Sequence, residues 1–464
     1  MRDEEPGRVA GEVGGYVADI PYLRDFKPML APAWLDHVAL VGGIEPPARR
    51  AGFAWCDLGC GQGITALILA ATHPGGVFHG IDAMPAHIGH ARRLAAEAGV
   101  TNARFHAVDF AAAADLALPR FDYIVAHGIY TWIDAAGQHA LQRFIDHRLA
   151  PDGLVYISYN AMPGWARDLP FQRLLRELAV TAAGDSARRV VAAADSVRSL
   201  APQAPALAAS FIVRELNERP EDYPTPYLVH EFLHRAWQPL YVTELRANAA
   251  TIGLTPVGSA TLIENFDDLL LGDAARERLA TIPDGNLREL VRDYFLDQRF
   301  RCDVFARRNP RLDAAERERR LLAGGLALAR PPATIRFATT TPRGRVGYGS
   351  PAARAIVAAL ASGPRVPADL AVDRPDRRDL LEGVLALCAA GDAMPVDTVG
   401  AAVGALNRAL WRRLDGPEEV LWLALPCGTA LPVERELLRR LRDGAAIDDG
   451  RFPGWPGFLA AHGL

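Results

Sequence analysis

The chain has 464 residues, half of them apolar, which is enough to build two or three packed domains. Its formal net charge of -4 provides no long-range field for nucleic acid or an anionic membrane, so no nucleic-acid partner is expected. Five cysteines, at 56, 60, 302, 388 and 427, contain no C-x-x-C pair, which argues against a zinc cluster or disulfide framework and for a reducing cytoplasm.

The polar opening MRDEEPGRVAGE lacks the basic and apolar regions of an export signal. No later run approaches the roughly 20 apolar residues that span a bilayer, so membrane insertion is not expected. Residues 1–52 read as a cap: aromatic and proline punctuation, with Tyr16, Tyr22, Pro28 and Trp34, leads to the helical pattern AWLDHVALVGG. Over 53–165 strands and helices alternate through FAWCDL, ITALILAAT, VFHGI, a helix opened by Pro85, ARFHAV, FDYIVA, a further helix and LVYISY. That alternation predicts an α/β fold with a doubly wound, Rossmann-like parallel sheet.

Residues 166–225 change character, with helical windows at FQRLLRELAV, SARRVVAAADSVRSL and ALAASFIVREL and no strand pattern. They read as an insert in the sheet domain, the alternative being a separate helical domain. The sheet domain resumes over 226–265 with the helix VTELRANAATIGL and the strand TPVGSATLI. The segment 266–330 is expected to be helical, and 331–343 to be a proline-rich linker. Residues 331–464 are expected to form an α-rich, winged-helix-like domain and tail, without the basic excess of a DNA reader.

The densest signal is WCDLGCGQG at 55–63, followed nineteen positions after its last glycine by Asp82 in VFHGIDAMP. A strand, a glycine turn (Gly59, Cys60, Gly61, Gly63) and a helix N-terminus make a nucleoside site, because a Cβ would block close approach. A dinucleotide fingerprint would put glycine at 64, which is isoleucine, and Asp57 at the strand tip suits an ammonium rather than a pyrophosphate. Asp82, with Ala83 beside it, is placed to take two ribose hydroxyls. Asp109 and the Phe110 amide, after ARFHAV, are placed to meet an adenine. The ligand that combines an ammonium, a ribose and an adenine in this way is S-adenosyl-L-methionine.

Four further segments, YVADIPYLRDFKPMLAPAWLDHVALVGGIEPP, FDYIVAHGIYTWI, LAPDGLVYISYNAMPGW and YLVHEFLHRAWQPLYVTEL, occur in that order. With them the chain resembles the class I S-adenosylmethionine-dependent methyltransferases that carry a methyltransferase regulatory domain. That group includes bacterial lysine methyltransferases acting on outer-membrane proteins. The resemblance covers residues 13 to 300 and, more loosely, the tail. It implies that 266–330 belongs to the regulatory region and that His127 flanks the cofactor's amino-acid portion. It also implies N-methylation of a protein or peptide side chain, of the lysine class; a homodimer is expected as well.

Methyl transfer from a sulfonium needs collinear positioning in a sheltered pocket and no metal. At the strand ends, Tyr130 and Asn160 are candidate catalytic residues, with Tyr22 closing the pocket from the cap; Trp132, Tyr159 and Tyr16 are further aromatics there. AHGI stands where enzymes acting on nucleobase amines carry a D/N-P-P-Y pattern, which disfavours a DNA target. The run HEFLH at 230–234 has the letters of a zinc motif, but it lies inside the segment that resembles the regulatory region, and no metal is expected. Two alternatives stay open at this point: N- or O-methylation of a small molecule, and a non-catalytic binding protein that keeps the cofactor fold.

Overall fold

The structure is a computed structural model that describes residues 12–13, 16–17, 19–20, 24–49, 51–370, 376–397, 401–416, 419–447 and 450–464. Near the start, β1 (Glu12–Val13) and β2 (Tyr16–Val17) pair antiparallel, and α1 (Pro32–Val41) follows with its apolar residues buried. The chain then enters a regular alternation of β3 (Phe53–Leu58), α2 (Ile64–Thr72), β4 (Gly76–Asp82), α3 (Pro85–Ala98) and β5 (Ala103–Ala107). It continues through α4 (Phe110–Ala113), β6 (Phe121–Ala126), α5 (Ala135–Arg148) and β7 (Leu149–Asn160).

Local chemistry sets these boundaries. Pro85 starts α3 where a missing N–H is harmless, and Gly99, at a φ of 68°, ends it. Asp134 caps α5 by accepting the Gly137 N–H at 2.8 Å. α2 carries apolar residues all round and is buried on nearly every side, because the sheet covers one face and the C-terminal region another.

After β7 come the helices α6 (Leu169–Thr181), α7 (Ser186–Leu200), α8 (Pro205–Ala208), α9 (Phe211–Glu218) and α10 (Thr225–Phe232). They pack on a core of their own around Phe171, Val190, Phe232, Trp165 and Trp237, and the chain then returns to the sheet. The helical block thus lies between β7 and the last two strands of the same sheet. The return runs through α11 (Val242–Thr251) and β8 (Thr255–Ser259), then α12 (Asp267–Leu270), α13 (Asp273–Ala280), α14 (Gly285–Leu296) and β9 (Phe300–Ala306).

The sheet has seven strands in the order β5-β4-β3-β6-β7-β9-β8. β3 to β7 pair in parallel, whereas β9 runs antiparallel to both β7 and β8. This corrects two expectations, since the sheet is mixed and its last strand lies in a stretch read as helical. Arg301 and Asp303 disguise that strand. Both are buried, and Arg301 pairs with Asp303 at 3.1 Å and with Asp293 at 2.5 Å, so an interior strand carries charges that a hydrophobic pattern does not show.

The remaining chain forms α15 (Ala314–Ala323), β10 (Gly325–Leu328), the hairpin β11 (Ala338–Thr341) and β12 (Gly344–Gly347), α16 (Pro351–Leu360), α17 (Arg377–Ala389) and β13 (Ala393–Val396). β10 pairs antiparallel with β13 beside the three helices, a winged-helix-like arrangement. Its first helix starts at Ala314, ahead of the expected 331, and the segment 331–343 read as a linker carries the first strand of the hairpin. The tail adds α18 (Gly404–Trp411), β14 (Trp422–Leu425), β15 (Thr429–Pro432), α19 (Arg435–Asp443) and α20 (Trp455–Ala461). One continuous core joins this C-terminal third to α1, α2 and α3. Polar bonds cross the same boundary: Asp397 accepts from Arg49 at 2.6 Å and lies 2.7 Å from His73 Nε2, and Arg413 pairs with Glu97 at 2.9 Å.

Candidate active site

The five parallel strands deliver their carboxyl ends to one edge of the sheet, where the glycine turn and the acidic residues meet. After Asp57 the chain folds back on β4, and the N–H groups of Gly59 and Cys60 donate to the Ile81 carbonyl at 2.8 and 3.0 Å. Gly63, at a φ of 76°, opens α2, and a Cβ there would lie 2.7 Å from Ala91 and from the Phe105 ring. Gly61 also has a positive φ, of 52°, but an added Cβ would meet nothing within 4 Å. The two glycines thus do different work: Gly63 is required by packing, and Gly61 opens onto the space a ligand would enter.

Asp82 at the end of β4 braces that turn. It accepts the N–H of Gly61 and of Met84, each at 2.9 Å, and lies 3.2 Å from His87 Nδ1. A carboxylate with three such contacts retains lone-pair capacity for ligand hydroxyls. Ala83 follows on the exposed surface of the turn. Asp57 is buried, its backbone is paired in the sheet, and its carboxyl has no hydrogen bond among the described residues. Burial, reinforced by the nearby Asp82, raises its carboxyl to about 8. Burial likewise keeps the Cys60 thiol protonated, with Asp57 and Asp82 adding to the shift. A buried acceptor without a donor, beside an open glycine, is what an incoming ammonium would complete.

Asp109 is exposed and caps α4, accepting the Ala112 N–H at 2.8 Å, while Phe110 leans its ring on the sheet's second core. Both sit at the end of β5, next to Asp82. His127, just past β6, stacks on Tyr156 with its Nδ1 2.8 Å from the phenol oxygen and meets the Phe300 ring edge-on at 6.0 Å. Burial, with Lys27 nearby, lowers its pKa to about 3, so the ring stays neutral. The structure therefore gathers Asp57, the glycine turn, Asp82, Asp109 and His127 along one rim.

The expected acceptor side divides. Asn160, at the end of β7, is buried, and its Nδ2 donates to Glu231 Oε1 of α10 at 2.9 Å. Tyr130 is turned away: its hydroxyl accepts from Gln142 at 2.8 Å and Asn248 at 3.3 Å, behind the sheet on α5 and α11. Two amide donors, on α5 and α11, thus occupy the oxygen of its hydroxyl. Tyr159 is likewise committed, donating to Asp303 at 2.9 Å, and Trp132 packs in the core of the helical insert. Tyr22 lies outside the described residues. Of the zinc-like run, His230 is held by the Ile20 carbonyl at 2.9 Å, its ring lies 6.0 Å from that of His234, and Glu231 faces Asn160 instead.

Sequence reasoning missed Glu231 as a neighbour of Asn160, Phe300 as a neighbour of His127, and Lys27. The helical phase of α10 together with the strand end at Asn160 could have suggested the first. Phe300 became visible only once β9 was placed.

The family model described as a methyltransferase domain matches residues 50–181, and that described as a predicted methyltransferase regulatory domain matches residues 224–307. An uncharacterized protein of Synechocystis sp., sll1526, is 31% identical over 433 residues, which cover 91% of this chain and 86% of that protein. The uncharacterized protein RP028 of Rickettsia prowazekii is 29% identical over 160 residues, 34% of this chain and 62% of its own length. Among solved structures, PKMT2 from Rickettsia typhi in complex with AdoHcy superposes with a TM-score of 0.70 at 17% identity, covering 95% of this chain and 91% of that one. The rim of carboxylates, the matched domains and the relative of nearly full length converge: this chain belongs to the S-adenosylmethionine-dependent methyltransferases that carry a methyltransferase regulatory domain.

Proposed function

We propose that this enzyme methylates lysine side-chain nitrogen on a protein or peptide. The observation that carries the acceptor class is the extent of the likeness to PKMT2 of R. typhi, which at 95% of this chain takes in the helices over the acceptor side as well as the sheet. In this reading Asp57 receives the cofactor's ammonium, Asp82 the ribose hydroxyls, and Asp109 with the Phe110 amide the adenine. Ala83, Cys60 and the glycines form the walls. His127, neutral and pinned by Tyr156, orients the amino-acid end and takes no proton. The cofactor supplies an electrophilic methyl on sulfur, and the protein's part is to align a nucleophile with it and exclude water.

The division into a cap, a sheet domain with its helical insert, a regulatory stretch and a C-terminal unit belongs to the same proposal, with the regulatory stretch ending on β9. So do a cytoplasmic setting, which five cysteines without a disulfide support, and a homodimer. The exposed Leu287, Tyr294 and Phe295 on α14 offer apolar surface for self-association. Among the described residues no helix is long and apolar enough to cross a membrane. The test is incubation with methyl-labelled cofactor and cell lysate, then acid hydrolysis. Label recovered as methyl-lysine supports the reading, and label confined to small solutes replaces it with a small-molecule acceptor.

A further inference from the structure

A lysine ammonium with a pKa of about 10.4 is neutral in only about one molecule in a few thousand at pH 7, so an amine acceptor must lose its proton inside the site. Tyr130 cannot take that proton from behind the sheet. His127 is engaged by Tyr156 and resists protonation. Among the described residues a carboxylate lies beside the end of β7: Glu231, 9% exposed, on α10 and bonded to Asn160.

Its position is fixed from two sides. α10 packs on α6 and α7 and carries Glu231 inward, and Asn160 holds Oε1 at 2.9 Å. Among the described residues neither Glu231 Oε2 nor Asn160 Oδ1 has a hydrogen-bond partner. Glu231 Oε2 and Asn160 Oδ1 take no part in the bond that joins the two side chains, which leaves both as acceptors beside the end of β7. A primary ammonium presents three N–H donors and would satisfy both while turning its third bond direction toward the cofactor.

We propose that Glu231 and Asn160 form the seat of the acceptor amine and that Glu231 is the proton acceptor of the reaction. This rests on the lysine reading in the preceding section only for the identity of the amine. A proton moves from the ammonium nitrogen to a Glu231 oxygen, and the freed lone pair bonds to the methyl carbon as the carbon–sulfur pair returns to sulfur. The product is a methylammonium, a thioether and a protonated Glu231, which passes its proton to solvent.

The charge environment suits that task. Burial raises the Glu231 carboxyl to about 7, against lowering by the Asn160 hydrogen bond and the Arg299 guanidinium. Arg299 is itself bound to Asp168 at 2.7 Å, which limits its pull. On the same segment His230 is kept neutral by burial, with a pKa of about 4, and His234 lies one turn on.

The test uses the full chain loaded with S-adenosylhomocysteine and titrated with n-butylammonium, a probe that needs no knowledge of the natural acceptor. Glu231→Gln keeps an oxygen for Asn160 and removes the charge, so a merely structural brace would not notice it. We expect unchanged S-adenosylhomocysteine affinity and unchanged Tm, with butylammonium binding at pH 8 weakened at least tenfold. The wild-type chain should lose butylammonium as pH falls through about 7, because protonation removes the anion. Equal binding by Glu231→Gln and wild type, or no binding by wild type, overturns the proposal. Failure to find methyl-lysine in the lysate experiment while butylammonium still binds in a Glu231-dependent way overturns only the acceptor class.

Discussion

At Asp82 the structure adds duties that a sequence reading does not show. The carboxylate was placed in the sequence for ribose, yet it also holds the Gly61 and Met84 amides. Asp82→Ala should therefore weaken S-adenosylhomocysteine binding by about 2 to 3 kcal/mol and lower Tm by a few degrees as well. Calorimetric titration and thermal melting check the two parts, and an unchanged affinity would remove Asp82 from the ribose. Asp57 yields a pH prediction whose sign follows from its environment. Its carboxyl is raised to about 8 in the free protein, and an ammonium ligand favours the ionised form. Below pH 8 binding must expel a proton, so affinity should rise with pH from 6 to 8 and level off above. Titrations at pH 7 in two buffers of different ionisation heat should report the released proton, and its absence in Asp57→Asn would assign it. Both carboxylates were legible in the sequence because each falls at the carboxyl end of an apolar strand. The turned-away Tyr130 was not, since a strand end alone does not say which face an aromatic takes.

At the scale of elements, the glycine turn separates folding from binding. Gly63→Ala forces a positive φ on a residue with a Cβ and drives that atom into Ala91 and Phe105, a loss of about 2 to 4 kcal/mol in stability. Gly61→Ala meets no such wall, so it should lose only about 1 kcal/mol of stability while S-adenosylhomocysteine affinity falls at least about tenfold. Chemical denaturation and titration of both variants decide the matter, and a Gly61→Ala chain that binds normally would move the ligand elsewhere. The strands β3 to β7 and the helices between them were legible because long apolar periods alternate without interruption. β9 was not. Its buried Arg301 and Asp303 reverse the pattern expected of an interior strand, and only the surrounding Asp293 and Glu289 make them tolerable there.

For the whole molecule, the C-terminal third behaves as a wall of the catalytic core. Its apolar residues share one cluster with α2 and α3, and Asp397 reaches across to Arg49 and His73. Asp397→Ala should cost about 2 kcal/mol, seen as a drop in Tm, because two polar partners lose a charged acceptor. The cap is tied in at the same place. Trp422 Nε1 donates to Asp25 at 2.7 Å, and Asp25 in turn holds the ammonium of Lys27, the chain's sole lysine, beside the cofactor turn. Composition announced none of this, since contacts between segments nearly 400 residues apart leave no periodicity.

The residues matched as a regulatory domain include the last two strands of the catalytic sheet, with β9 hydrogen-bonded along β7 from Leu154 to Asn160. Displacing that segment is expected to strain β7, the strand whose tip carries Asn160, so any modulation exerted through it would reach the proposed amine seat directly.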